Sequence, residues 1–167
     1  MKKFRRGFTL LELLVVIGVM GILSTMAMIA GQQTTDAARA NNIADGFEKA
    51  ASAMMMYYAD NANDIATNGD TEADIVEGAN AYLKQTGALV TYENVDYGKY
   101  AVHVEGNAPD QTWWLVYTLP ATDVANIGPI MKNKAERMGL KMSNNANDVA
   151  NAVDYDGTRD EIYMKVR

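Results

Sequence analysis

Glu12 is a carboxylate set inside an apolar run: it is the one charged side chain from Phe8 to Ala30, and no Lys, Arg or His occurs between Arg6 and Arg39. Inside a bilayer an ionised carboxylate costs about 2.5–3.5 kcal/mol even on the forgiving insertion scale, so it needs a partner that its own segment lacks. Other candidates for chemistry are sparse. His103 is the only histidine, so a Ser-His-Asp triad or a histidine metal site would rest on one residue, and it reads as a partly exposed sheet histidine. Asp154, Asp156 and Asp160 are spaced like a fragment of a calcium loop. The fragment lacks the bidentate Glu, and Asp156-Gly157 is also a common turn before a strand. With no cysteine there is no disulfide, thiolate metal site or thiol nucleophile. These residues predict no enzyme, no catalytic side chain and no cofactor, with calcium on the three aspartates as the alternative.

The element that must carry Glu12 is a helix. Residues 8–30 would span about 34 Å as an α-helix, enough to cross a bilayer core. Lys2, Lys3, Arg5 and Arg6 precede the run and should stay cytoplasmic, placing everything after Gly31 on the far side. The run is too long for the apolar stretch of an ordinary secretory signal peptide. A simple membrane anchor would account for length and charge, but not for Glu12.

The sequence Lys2-Lys3-Phe4-Arg5-Arg6-Gly7, followed by Phe8-Thr9-Leu10-Leu11-Glu12 and the long apolar run with Gly18 and Gly21, resembles the class III signal of type IV prepilins and pseudopilins. The resemblance implies cleavage between Gly7 and Phe8 by a membrane-embedded prepilin peptidase, which also N-methylates Phe8. It further implies that Glu12 pairs with the new amine of Phe8 on an adjacent subunit and sets its register. Cleavage on the cytoplasmic side leaves the span in the mature chain.

Beyond Gly31, Ala37, Ala40, Ala44, Phe47, Ala51, Met54 and Tyr58 recur at steps of three and four, one face of a continuing helix. Asp60-Asn61-Ala62-Asn63-Asp64 is expected to break it. A helix from Phe8 to Tyr58 is about 75 Å long, more than a small domain's diameter, so part of it should protrude and be buried against copies of itself. Relatives often carry prolines within this helix; here none precedes Pro109, leaving Gly18, Gly21 and Gly31 as the points where it could bend or unwind.

A second helix is expected over Thr71–Gln85, capped by Thr71 with Asp74 and stopped by Gly87. Strands are expected over Ala88–Val95, Lys99–Glu105 and Thr112–Leu119 as an antiparallel meander. A helix from Thr122 to Met138, kinked or split at Gly128-Pro129, and a last strand over Glu161–Val166 complete the pattern. Trp113 and Trp114 alternate faces, so one is expected in the core and the other exposed to a neighbouring subunit or a glycan. The predicted class is α+β: a long N-terminal helix, membrane-spanning in its first half and amphipathic in its second, packed on an antiparallel sheet as in the pilin fold. The predicted parts are a leader at 1–7, a transmembrane or filament-core segment at 8–30, an amphipathic segment at 31–60 and a head at 61–167. A terminal strand inserted in the sheet resembles type IVb pilins, whereas the short leader with Phe8 looks like type IVa.

The function this implies is a structural subunit of a type IV pilus. The alternatives are a pseudopilin of a type II secretion system, a minor tip pilin that binds DNA or a surface ligand, and, from another class, a tethered hydrolase, for which no polar cluster is found. The implied partners are the chain itself as a helical homopolymer, the peptidase and methyltransferase, the inner-membrane assembly platform with its ATPase, and the membrane before assembly. The implied location is the inner membrane, as a single-pass precursor with its head outside the cytoplasm, then an extracellular pilus or periplasmic pseudopilus. Without the four leader cations, eleven Lys and Arg face twenty-one Asp and Glu, a balance that disfavours nucleic acid on the bulk surface.

Overall fold

Apolar residues keep recurring at helical spacing past the polar run at 60–64, and the helix tracks them. The computed structural model describes residues 8–83, 90 and 91, 100–143 and 151–167. Helix α1 spans Leu10–Asn68, so the break expected at Asp60 does not occur. Asp60, Asn63 and Asp64 are exposed while Ile65 is buried, so the polar residues occupy the outer face of an amphipathic turn. The stop is Gly69, whose φ of 72° is readily adopted only without a Cβ and whose N–H donates to the Ile65 carbonyl at 2.9 Å.

The chain divides into two compact units, Met1–Ala37 and Ala38–Arg167. In the second unit, helix α2 (Glu72–Leu83) starts from a reciprocal cap. The Asp74 carboxylate accepts from the Thr71 N–H at 3.0 Å and hydroxyl at 2.6 Å, and the Asp74 N–H donates back to Thr71 Oγ1. Strands β1 (Val90–Thr91), β2 (Tyr100–Glu105) and β3 (Thr112–Thr118) come next, then helix α3 (Ala121–Met138) and strands β4 (Leu140–Met142), β5 (Val153–Asp154) and β6 (Glu161–Lys165).

The six strands form one sheet in the order β1-β2-β3-β6-β4-β5. Every pairing is antiparallel except β1 with β2, which is parallel, with Val90 opposite Tyr100. The architecture is therefore the expected α+β, with the last strand inside the sheet, but the first strand departs from the expected meander. The remainder of Ala88–Val95, and the Gly87 stop, lie outside the described residues. Strands β4 and β5 are not among the expected elements, since two or three residues are too few for an alternating pattern to register.

The core face of the sheet brings Val102, Trp113, Leu115, Ile162 and Met164 against Ala40, Phe47, Ala50 and Met54 of α1. Close approach depends on Gly46, where a Cβ would lie 1.9 Å from the Tyr100 hydroxyl oxygen and 2.3 Å from its Cζ. Through this notch Tyr100 donates to the Ile43 carbonyl at 2.7 Å, with its ring edge-on to Phe47 at 5.3 Å.

The tryptophans do alternate, yet neither is exposed. Trp113 packs with Tyr57 and Tyr58 beneath the Arg167 guanidinium, which lies 4.2 Å from the Tyr58 ring. Trp114 is buried on the other face with Ala101, Val116 and Tyr163. The expectation of one exposed tryptophan is wrong because Trp114 is closed in by its neighbours on that face, Ala101, Val116 and Tyr163, with Ala152 against them.

Gly128-Pro129 does not split α3 either. Pro129 sits on the exposed face, as does Ala125, whose carbonyl loses its helical donor and can turn to water. Gly128 faces inward, where a Cβ would meet the Gly157 carbonyl oxygen at 2.3 Å, so the glycine lets the 154–160 loop lie directly on the helix.

Burial raises the Tyr100, Tyr155 and Tyr163 hydroxyls above the ordinary phenol value of 10.0. The unfolded chain loses these protons near that value while the folded one retains them, so their stabilisation is complete below about pH 10 and is lost as pH rises further. Thermal melts of the full chain in detergent should be flat from neutral to about pH 9 and fall above about pH 10. Tyr155→Phe should flatten the alkaline limb, and a limb unchanged in that variant would count against this origin.

Candidate assembly site

Thr9 stands just before the first turn of α1, and Glu12 is three residues further on. Glu12 Oε2 accepts from the Thr9 N–H and from the Thr9 hydroxyl, each at 2.9 Å, while the Glu12 N–H donates to Thr9 Oγ1 at 3.2 Å. This is a capping box, the same device that starts α2. It satisfies amide groups that the first turn of any helix leaves without a carbonyl.

Judged by charge alone, Glu12 has no partner in its own segment. Its local partner is Thr9, a neutral donor, and the Thr-x-x-Glu spacing ahead of an apolar run is the sequence signal for it. Both hydrogen bonds fall on Oε2. Among the described residues Glu12 has no cation beside it and Oε1 has no donor, which leaves that oxygen open to a further donor.

The side chains flanking this site are apolar and exposed. α1 contains a stretch long and apolar enough to cross a bilayer. No residue from Phe8 to Thr35 is buried, and Phe8 and Leu10 are 84% and 88% exposed. The polar groups in this half are self-satisfied, since the Thr25, Thr34 and Thr35 hydroxyls donate to the Gly21, Ala30 and Gly31 carbonyls. The helix is unbroken through Gly18, Gly21 and Gly31, and a Cβ at any of them would meet nothing within 4 Å.

Residues 2–28 match the prokaryotic N-terminal methylation motif. That motif is the class III prepilin signal. It indicates a type IV pilin-like or pseudopilin precursor, and the motif's family is structural, not catalytic. The prepilin signal and the exposed apolar helix are both consistent with membrane insertion. Neither a curated protein nor a solved structure matches the chain.

The remaining candidate residues are not brought to this site. Gly7 lies outside the described residues, while Phe8 immediately precedes the cap. His103 is half-buried on β2, its Nδ1 3.1 Å from Glu72 Oε1. The same oxygen accepts the Val104 N–H at 3.0 Å, so Glu72 ties the start of α2 to strand β2. Asp154 pairs with Lys141 at 2.6 Å. Asp156 accepts from the Thr158 N–H and hydroxyl, and these bonds hold its carboxyl below the usual range. Among the described residues no three of His, Cys, Asp or Glu gather as a metal-holding group.

Arg39, the first cation after the leader, reaches α3. Its two terminal nitrogens donate to the two Asp123 oxygens at 3.2 and 2.7 Å, a bidentate fork. Asp123 lies in the first turn of α3, where the helix dipole also favours a carboxylate.

Proposed function

We propose that this chain is a structural subunit of a type IV pilus, which polymerises through the apolar half of α1 after cleavage between Gly7 and Phe8. The carrying observation is the capped carboxylate of Glu12, one oxygen short of donors, at the start of a helix whose first half buries no side chain. In water such a surface is unstable, so it resides in lipid and then among copies of itself. The leader cations keep the N-terminus cytoplasmic and the sheet unit outside.

Cleavage creates an α-amine on Phe8, four residues before Glu12. In the filament that amine, N-methylated and still cationic, meets Glu12 of a neighbouring subunit. Thr9 keeps the carboxylate directed while the subunit is alone in the membrane. Low dielectric strengthens the pair and makes a register without it costly. The peptidase with its methyltransferase activity, the assembly platform and its ATPase supply the remaining steps. The engagement of Asp154 by Lys141 and of Asp156 by Thr158 supports a pilus subunit over a calcium-holding pseudopilin.

Mass spectrometry of sheared surface filaments tests this reading. The subunit should begin at Phe8 and be one methyl group heavier than its sequence. A mature chain still starting at Met1, or trimmed well beyond Ala30, would overturn it. Recovery of the Phe8 form only in periplasmic assemblies would point to the pseudopilin.

A further inference from the structure

Three residues, Gly69, Asp70 and Thr71, join α1 to α2, and the path of the chain through them is held from every side. Gly69 turns it with a positive φ, and Thr71 starts α2 through its reciprocal cap with Asp74. Between them Asp70 is clamped by a side chain from the turn before β3. Gln111 Oε1 accepts the Asp70 N–H at 3.0 Å, and Gln111 Nε2 donates to the Asp70 carbonyl at 2.9 Å. With its backbone fixed at both donor and acceptor, Asp70 can move its carboxyl only through its side-chain torsions. Above the joint, α2 lies on α1 through Gly78, which backs onto the Tyr57 ring, and through a hydrogen bond from the Tyr82 hydroxyl to Asp60.

The joint is a poor place for a negative charge. Asp70 Oδ2 is buried and has no hydrogen-bond partner among the described residues, and a buried carboxylate oxygen without a donor is costly when ionised. Tyr57 of α1 offers the carboxyl its hydroxyl, whereas Asp74 of α2 and Asp64 of α1 face it with like charge. The third element packed on the joint, the turn before β3, presents the neutral Gln111. Among the described residues no ion pair includes Asp70. Burial raises the carboxyl above its ordinary 3.8, the Tyr57 hydroxyl opposes this in part, and the charges of Asp74 and Asp64 add to it.

We propose that Asp70 is a proton-operated clasp of the α1–α2 joint: protonated, it lets the two helices close on each other; ionised, it pushes against Asp64 and Asp74 and loosens them. The clasp lies wholly within the Ala38–Arg167 unit and holds whether or not the chain forms a pilus. The folded chain keeps this proton more tightly than the unfolded one. Its stabilisation is therefore complete below 3.8 and is lost as pH rises through the higher folded value. Asp74 and Asp156 are held below the ordinary carboxylate range by their threonine partners. They act in the opposite sense and at lower pH, where their stabilisation is lost as they gain protons. A change confined to Asp70 separates its effect from theirs.

The test is Asp70→Asn in the full chain in detergent, since asparagine keeps the shape of the neutral acid at every pH. At about pH 7.5 the variant should melt about 2–4 °C above wild type. That advantage should shrink to nothing as pH falls to about 4, where the wild-type carboxyl is itself protonated. Amide hydrogen exchange in peptides from residues 57–83 should be several-fold slower in the variant at the higher pH and equal in the two chains at the lower, which places the effect at the joint. A variant that melts at or below wild type at about pH 7.5 would overturn the clasp. So would an advantage that stays constant down to about pH 4, or exchange in that segment that is the same in both chains at both pH values.

Discussion

Glu12→Ala should leave the precursor in the membrane and cleaved after Gly7, yet reduce filament recovered by shearing to a trace. Removing one member of a low-dielectric ion pair costs about 3–5 kcal/mol because the other charge is left unpaired. That cost recurs at every subunit added, so growth stops while processing of a single chain is untouched. The capping box complicates the alanine variant, since Thr9 also loses its acceptor. Glu12→Gln separates the two roles, because its amide oxygen still accepts from Thr9 while the charge is gone. Filaments should be nearly as scarce in Glu12→Gln as in Glu12→Ala. Thr9→Val, which keeps the charge and the backbone donor, should cost about 1 kcal/mol of helix capping and a modest share of the yield. Normal filaments from Glu12→Gln would end the charge-pairing account.

The second large effect is expected at Gly46, with a change of sign between backgrounds. Alanine in a helix interior is favoured over glycine by about 1 kcal/mol, so Gly46→Ala would stabilise α1 if nothing lay opposite. Instead the added carbon would overlap Tyr100, whose ring is held by Phe47 at 5.3 Å and Tyr117 at 4.9 Å and whose hydroxyl is tied to Ile43. Overpacking at a site that cannot yield costs about 1–3 kcal/mol or more, so Gly46→Ala should be clearly destabilising. Tyr100→Ala should itself cost about 3–5 kcal/mol. In that background the Gly46→Ala change should become neutral or stabilising. Denaturant melts of the four chains in detergent read the cycle, and a cost for Gly46→Ala that is equal in both backgrounds would refute the notch.

Short-range pattern made part of this molecule legible from its sequence. Unbroken apolarity after a basic leader, the step of three and four through Ala40, Ala44, Phe47 and Met54, and the Thr71–Asp74 cap each involve residues within a turn or two of one another. The α+β class, the second helix and strands β2, β3 and β6 are fixed by these local signals. The Thr9–Glu12 cap is equally local, a Thr-x-x-Glu spacing ahead of an apolar run, but a lone carboxylate among apolar residues points first to a missing cation, not to a neutral donor three residues back.

Tertiary contacts decided the rest. The polar run at 60–64 reads as a breaker until Ile65 is seen to be buried and Gly69 to end the helix. Gly128-Pro129 reads as a split until Gly128 is found against Gly157, 29 positions away along the sequence. The pairing of β1 and the burial of Trp114 depend on which strands are neighbours. A linear pattern records the chemistry and period of one segment. It carries no record of the distant segment that will cover it, and that partner determines whether a glycine is a break or a notch and whether a charge lies beside its opposite.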